Sequence, residues 1–67
     1  MKYSLVGVNG NAFSIIAYVK RALKNEGFNH LVEKYIKDAT SGDYNHLLII
    51  SDNMIDFCNQ EATNSHW

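Results

Sequence analysis

The sequence predicts a mainly α-helical domain in which a three-helix unit follows a short N-terminal strand or extended arm. Apolar residues recur at helical spacing over residues 12–26, 30–40 and 44–59. Residues typical of turns and helix caps separate these three segments. Residues 3–8 are apolar and rich in β-formers, and they show no helical period, which favours a strand. At 67 residues, the chain is expected to form one small domain.

The junction between the predicted strand and the first helix has a distinctive pattern. Asn9-Gly10 is a strong turn dipeptide because both residues tolerate positive φ. Asn11 stands where the first helix needs an N-cap. Backbone N–H groups at such a junction can hold an anion. Asn9, Gly10 and Asn11 are therefore a candidate site for an anionic metabolite or nucleotide, although ordinary turn and cap chemistry explains the same residues without a ligand.

The first helix is predicted over residues 12–26, with Gly27 as its C-terminal cap. Phe13 and Tyr18 lie off the apolar face of this helix, so its apolar surface is wider than one neighbouring helix needs. The expected core face consists of Ala12, Ile15, Ile16, Val19, Ala22 and Leu23.

Two further helices complete the unit. Asn29 is a candidate cap for a second helix over residues 30–40, and Asp43 for a third over residues 44–59. Ile50 and Phe57 lie on one flank of the third helix, beside its core face. Residues 60–67 turn polar and are expected to be a flexible tail beyond a domain of residues 1–59. The expected core faces are Leu31, Val32, Tyr35, Ile36 and Ala39 in the second helix, and Tyr44, Leu47, Leu48, Ser51, Met54, Ile55 and Cys58 in the third.

The short chain and its single strand predict a homo-oligomer, most simply a dimer. A domain of about 60 residues buries only about 60% of the surface that its unfolded chain exposes. Cys58 is the one cysteine, so no internal disulfide can reinforce the fold. A lone strand leaves backbone groups unpaired, and a second copy could pair them across a two-fold axis. We expect Phe13, Tyr18, Ile50 and Phe57 to form the interface.

The charge distribution gives little support to nucleic-acid or membrane binding. Six basic and seven acidic residues leave a formal net charge of −1, so no global field attracts nucleic acid. Lys20, Arg21 and Lys24 form one basic cluster, which is better explained as a solvated helix face. No apolar run approaches the ~20 residues that span a bilayer. A lone thiol and no export signal indicate the cytoplasm.

Catalytic and metal-binding patterns are weak, so no enzymatic activity and no cofactor are expected. His30, His46 and His66 show no metal-ligand spacing, and no Cys-x-x-Cys motif exists. Asp52 and Asp56 lie one turn apart on the third helix, an arrangement that is common on solvated faces. Cys58 falls on the core face, where it is expected to act as a small buried apolar residue.

Two short motifs resemble those of a small protein family found in bacterial and phage genomes. The first is Gly-Val-x-Gly-Asn-Ala-Phe, at residues 7–13, and the second is Ser-Gly-Asp-Tyr-Asn followed by Leu-Leu, at residues 41–48. The likeness covers most of residues 3–58, and the family has an aspartate where this chain has Asn9. The resemblance implies a bacterial or prophage setting and implies no mechanism. The sequence thus favours a non-enzymatic interaction module, such as a phage accessory or inhibitor protein.

Overall fold

The computed structural model describes residues 2–64, which contain three α-helices preceded by an irregular N-terminal arm. The helices are α1 (Ala12–Asn25), α2 (Val32–Ala39) and α3 (Tyr44–Asn64). A short 3-10 helix, Asn29–Leu31, leads into α2. Helix α3 packs against both α1 and α2. The mainly helical class and the three-helix unit are confirmed.

Helix α1 begins and ends with the side-chain and backbone contacts that its sequence predicts. The Asn11 side chain caps the helix by accepting a hydrogen bond from the Ser14 N–H at 2.8 Å. At the other end Gly27 adopts φ 87°, a conformation that glycine reaches without steric cost. The Gly27 N–H then donates to Lys24, and the Phe28 N–H donates to Leu23. These two bonds form a Schellman motif and satisfy carbonyl groups at the helix end.

The predicted start of the second helix is wrong. Asn29 makes no side-chain cap and instead opens the 3-10 helix Asn29–Leu31. The reason is that the Schellman motif leaves Phe28 at the start of a tight turn, which the Leu31 N–H closes by donating to the Phe28 carbonyl. Helix α2 therefore begins at Val32 and ends at Ala39. Its predicted apolar face is buried or half-buried all the same.

Helix α3 is capped as predicted but is longer than predicted. The Asp43 carboxylate accepts a hydrogen bond from the His46 N–H at 2.9 Å. The helix continues past Asn59, its expected last residue, as far as Asn64. Gln, Glu and Ala in this stretch are good helix formers, and Ala62 packs against the core. The flexibility expected for residues 60–67 stays a prediction, and residues 65–67 lie outside the described part of the chain.

The predicted strand over residues 3–8 is wrong, and the segment is the extended arm of the alternative interpretation, bent into a turn. We define the arm as residues 2–8. The Val8 N–H donates to the Leu5 carbonyl at 3.1 Å, which closes a turn around Gly7, at φ 86°. Within residues 2–64 no second strand exists to pair with the arm. β-Propensity expresses packing on a sheet, so without a sheet the segment does not become a strand.

The core lies where the three helices meet. It includes one buried polar pair, in which the Tyr35 hydroxyl and Ser51 Oγ are 2.7 Å apart. Ser51 is fully buried, so this hydrogen bond satisfies two hydroxyl groups that water cannot reach. The buried apolar residues are Tyr3, Ile15, Val19, Ala22, Leu23, Val32, Tyr35, Ala39, Leu47, Ile55 and Cys58.

Candidate interaction surfaces

Tyr3 anchors the arm to the body of the protein. Its ring is buried, and its hydroxyl donates to Glu26 Oε2 at 2.5 Å. Lys2 Nζ lies 2.9 Å from the same oxygen, and the Glu26 side chain is 7% exposed. The hydrogen bonds from Tyr3 and Lys2 lower the pKa of Glu26. Burial, together with the hydrogen bond to Glu26, raises the pKa of Tyr3, so its hydroxyl keeps the proton that it donates.

Side chains from α1 and α3 also bind the arm backbone. The Asn59 side chain accepts a hydrogen bond from the Tyr3 N–H at 2.8 Å and donates one to the Tyr3 carbonyl at 3.0 Å. The Tyr18 hydroxyl accepts from the Ser4 N–H at 2.9 Å. One amide side chain thus pairs both backbone groups of Tyr3, as a neighbouring strand would. We call this place, where Tyr18, Glu26 and Asn59 hold the arm, the arm groove.

The arm contacts bear directly on self-association. A second copy was expected because a lone strand would leave backbone groups unpaired. Side chains of the same chain bind the backbone of Tyr3 and Ser4, so that requirement is met within one molecule. Tyr18, expected at an interface, is half-buried and holds the arm. The expectation of a dimer therefore stays a prediction, and it needs support from other residues.

Phe13 is the clearest exposed apolar group on the helices. Its side chain is 87% exposed although it belongs to the first turn of α1. It lies at the edge of a groove of about 340 Å³ between the N-terminal ends of α1 and α3 and the C-terminal end of α2. Tyr44 lines the same groove and donates a hydrogen bond from its hydroxyl to the Gly10 carbonyl. We call this the Phe13 groove; it is lined by Ala12, Phe13, Ile16, Ala39, Thr40, Gly42, Asp43, Tyr44 and Leu47.

Ile50 and Phe57, the other two predicted interface residues, are brought together on a different side. Both line a smaller groove of about 210 Å³ between α2 and α3. Both are half-buried, and the rings of Phe57 and Phe28 are 4.9 Å apart and tilted by 58°. This is a normal aromatic contact within the core. The two side chains therefore contribute to the packing of their own chain, and their role at an interface stays a prediction.

The candidate anion site is exposed, and side chains occupy several of its donors. Asn9 Oδ1 accepts a hydrogen bond from the Asn11 N–H at 3.0 Å, which forms an Asx turn. Asn11 Oδ1 accepts from the Ser14 N–H, and the Gly10 carbonyl accepts from Tyr44. The three residues thus act in a turn, a cap and a tertiary contact. Anion binding at Asn9, Gly10 and Asn11 stays a prediction.

The other candidate chemical groups are dispersed. His46 Nε2 lies 2.8 Å from the Asp38 carbonyl oxygen, which can only accept, so this nitrogen carries the proton and joins α2 to α3. Burial raises the pKa of the Cys58 thiol, which disfavours the reactive thiolate. Asp52 and Asp56 are both exposed. No group of three or more His, Cys, Asp or Glu residues that could hold a metal occurs within residues 2–64.

Two further surface features bear on the predicted partners. Lys20, Arg21 and Lys24 line a shallow groove on α1 together with Ala17, and all four are exposed. Among the described helices, none is long and apolar enough to cross a membrane. His66 lies outside the described residues.

Comparisons of the chain with family models, with curated proteins and with solved structures gave no match. The resemblance to a phage and bacterial family stays an expectation.

Several residues that matter in the structure were not singled out from the sequence. Asn59 was expected only as the last residue of the third helix, whereas it binds the arm backbone. Glu26 was expected only as the last residue of a helix, whereas it accepts from both Tyr3 and Lys2. Helical periodicity identifies which face a residue occupies, but it carries no signal for contacts 23 or 56 residues apart in the chain. Val6, which is 91% exposed, was expected inside a strand.

Proposed function

We propose that the protein is a small non-enzymatic interaction module that binds another protein through the Phe13 groove. The exposure of Phe13 is the observation that carries this proposal. An aromatic side chain 87% exposed beside an apolar groove has no role in the packing of its own chain. Large aromatic groups next to pockets supply much of the binding energy at protein interfaces. The ligand that suits the Phe13 groove is a short apolar segment of a partner protein.

Helix caps and a tertiary hydrogen bond support the frame of the groove, which favours specific over non-specific binding. Its walls come from the ends of three helices, two of which have side-chain caps at Asn11 and Asp43. The Tyr44 hydroxyl bonds to Gly10 and so ties α3 to the residues before α1. A preformed groove loses little conformational freedom when a partner binds.

Self-association is the second part of the proposal. Val6 and Phe13 are both almost fully exposed, and a second copy could cover this apolar surface, which a chain this small cannot bury by itself. We place the module in a bacterial or prophage setting, as an accessory or inhibitor protein of the cytoplasm. The family resemblance and the lone buried thiol of Cys58 support this setting.

Peptide selection tests the groove even though the partner is unidentified. A displayed peptide library is selected on the wild-type chain, and the affinity of the selected peptides for Phe13→Asp is then measured. Apolar peptides that bind the wild type and lose at least tenfold in affinity for Phe13→Asp are expected. Their addition should shift the amide NMR signals of α1 and α3 residues that line the groove.

A matched control is available in α3. Ile49 is 60% exposed but does not line the groove, so Ile49→Asp places the same charge elsewhere on the surface. Selected peptides should bind Ile49→Asp as they bind the wild type. Peptides that bind all three chains equally would contradict the proposal.

A further inference from the structure

The hydrogen bonds by which the arm groove holds Tyr3 and Ser4 come from side chains. Asn59 pairs with the two backbone groups of Tyr3, Tyr18 accepts from the backbone of Ser4, and Glu26 accepts from the Tyr3 hydroxyl. None of these contacts depends on the covalent connection between the arm and α1. An arm from a second copy could make the same hydrogen bonds and bury the same ring.

The connection between the arm and α1 is a tight turn in the closed form. The turn is closed by one backbone hydrogen bond, from the Val8 N–H to the Leu5 carbonyl. Gly7 is at φ 86° there, a conformation that an open, extended connection would not need. A Cβ added at Gly7 would meet no atom within 4 Å, so only the backbone conformation makes glycine preferable at this position.

Two features of the turn residues favour an extended conformation. Val6 is 91% exposed in the closed form. Residues 3–8 carry the apolar, β-forming pattern of a strand, but no strand exists among the described residues. If two copies exchanged arms, their extended connections would run side by side near the two-fold axis. They could then pair as an antiparallel ribbon that covers Val6.

We infer that the arm groove is a binding site for the arm of a second copy, and that the chain forms a dimer by exchanging residues 2–8. The inference deepens the self-association part of the proposed function and rests on it. The Phe13 groove does not include the arm, so an exchanged dimer presents two such grooves. The dimer is then a bivalent module.

Substitution at Gly7 tests the exchange in the full-length chain. Gly7→Ala penalises the closed turn, because positive φ is costly for an L-residue, and leaves the open connection unstrained. Exchange removes this backbone strain at both connections of a dimer. The dimer dissociation constant is therefore expected to fall about 30-fold, equivalent to ~2 kcal/mol. Light scattering over a concentration series measures the change.

The chain offers a closely matched control at Gly27. This residue also has positive φ, at 87°, and an added Cβ would likewise meet nothing within 4 Å. It lies at the end of α1, outside the connection, so Gly27→Ala should strain monomer and dimer equally. The dissociation constant of Gly27→Ala should therefore equal that of the wild type. Equal masses for Gly7→Ala and Gly27→Ala at every concentration would overturn the inference.

Isotope-filtered NMR distinguishes exchange from any other dimer. Labelled and unlabelled Gly7→Ala chains are unfolded together, refolded, and the dimer is isolated. Contacts between the Tyr3 ring of one chain and the Glu26 side chain of the other are expected. A dimer without these contacts would overturn the exchange and leave self-association standing. A wild-type chain that stays monomeric at every concentration would overturn both the exchange and the self-association part of the proposed function, and would leave the proposed role of the Phe13 groove standing.

Discussion

At the scale of single residues, a buried hydrogen bond between two hydroxyl groups contributes to the stability. The Tyr35 hydroxyl and Ser51 Oγ bind one another inside the core, and both residues are at most 1% exposed. A net hydrogen bond contributes about 1 kcal/mol, whereas a buried group left without a partner costs about 1–3 kcal/mol. The two hydroxyl groups differ in whether each can find another hydrogen-bond partner when the other group is removed.

Removal of Ser51 Oγ should cost more than removal of the Tyr35 hydroxyl. In Ser51→Ala the buried Tyr35 hydroxyl has lost the partner to which it was bonded, so a loss of about 1–3 kcal/mol is expected. In Tyr35→Phe the serine can turn to a carbonyl one turn back in its own helix, so the loss should be smaller. Denaturant unfolding of both variants and of the double variant measures the difference. Equal losses for the two single variants would contradict this explanation.

The Glu26 carboxylate should make the stability fall in acid. Its pKa is lowered in the fold by the hydrogen bonds from Tyr3 and Lys2. A lowered folded-state pKa gives stability that is present above the unfolded value, about 4.3 for glutamate, and is lost as the pH falls through the folded value. Thermal melting between about pH 2 and 7 should show a steeper acid loss for the wild type than for Glu26→Gln. Parallel melting curves for the two chains would reject the assignment.

At the scale of the elements, the sequence predicted most helix ends, because caps depend on neighbouring residues only. Asn11 and Asp43 cap α1 and α3 as expected, and Gly27 ends α1. The second helix start was missed because a Schellman motif and a 3-10 turn compete with the Asn29 cap. The predicted third helix was shorter than α3, because the last turns of α3 lack the apolar period from which the prediction was made. Ala62 in these turns still packs on the core.

The Asn11 cap should be worth about 1 kcal/mol. In Asn11→Ala the Ser14 N–H loses its acceptor, which costs about 1 kcal/mol and lowers the Tm of a domain this small by about 4–8 °C. The control is Asn53→Ala, at an exposed position within α3, where alanine is the better helix former. A Tm for Asn11→Ala at or above that of Asn53→Ala would show that the cap contributes nothing.

The arm marks the limit of what local pattern can predict. Its strand-like sequence is compatible with two arrangements, a paired strand and an arm over the helices. The choice depends on Asn59, Tyr18 and Glu26, which reach the arm from distant positions in the chain. Side-chain contacts of this kind have no signature in periodicity or spacing. For the same reason the arm groove could not be predicted as a site.

At the scale of the whole molecule, the sequence predicted surplus apolar surface but only partly identified its position. Ile50, Phe57 and Tyr18 were expected on the outside, and all three are half-buried in contacts within the chain. Phe13 was expected there and is 87% exposed, and Val6 is exposed because its segment is a turn rather than a strand. A chain this small can cover only part of its apolar surface by itself. The proposed binding to other chains, including a second copy, is based on these remaining exposed groups.

The central claim is that this chain binds other protein chains, including a second copy of itself. Light scattering on the wild-type chain tests this claim most directly. The mass is measured from low micromolar to millimolar concentration at constant salt and pH. We predict a mass that rises from 7.6 kDa toward twice that value as the concentration increases. A mass of 7.6 kDa at every concentration would contradict the claim.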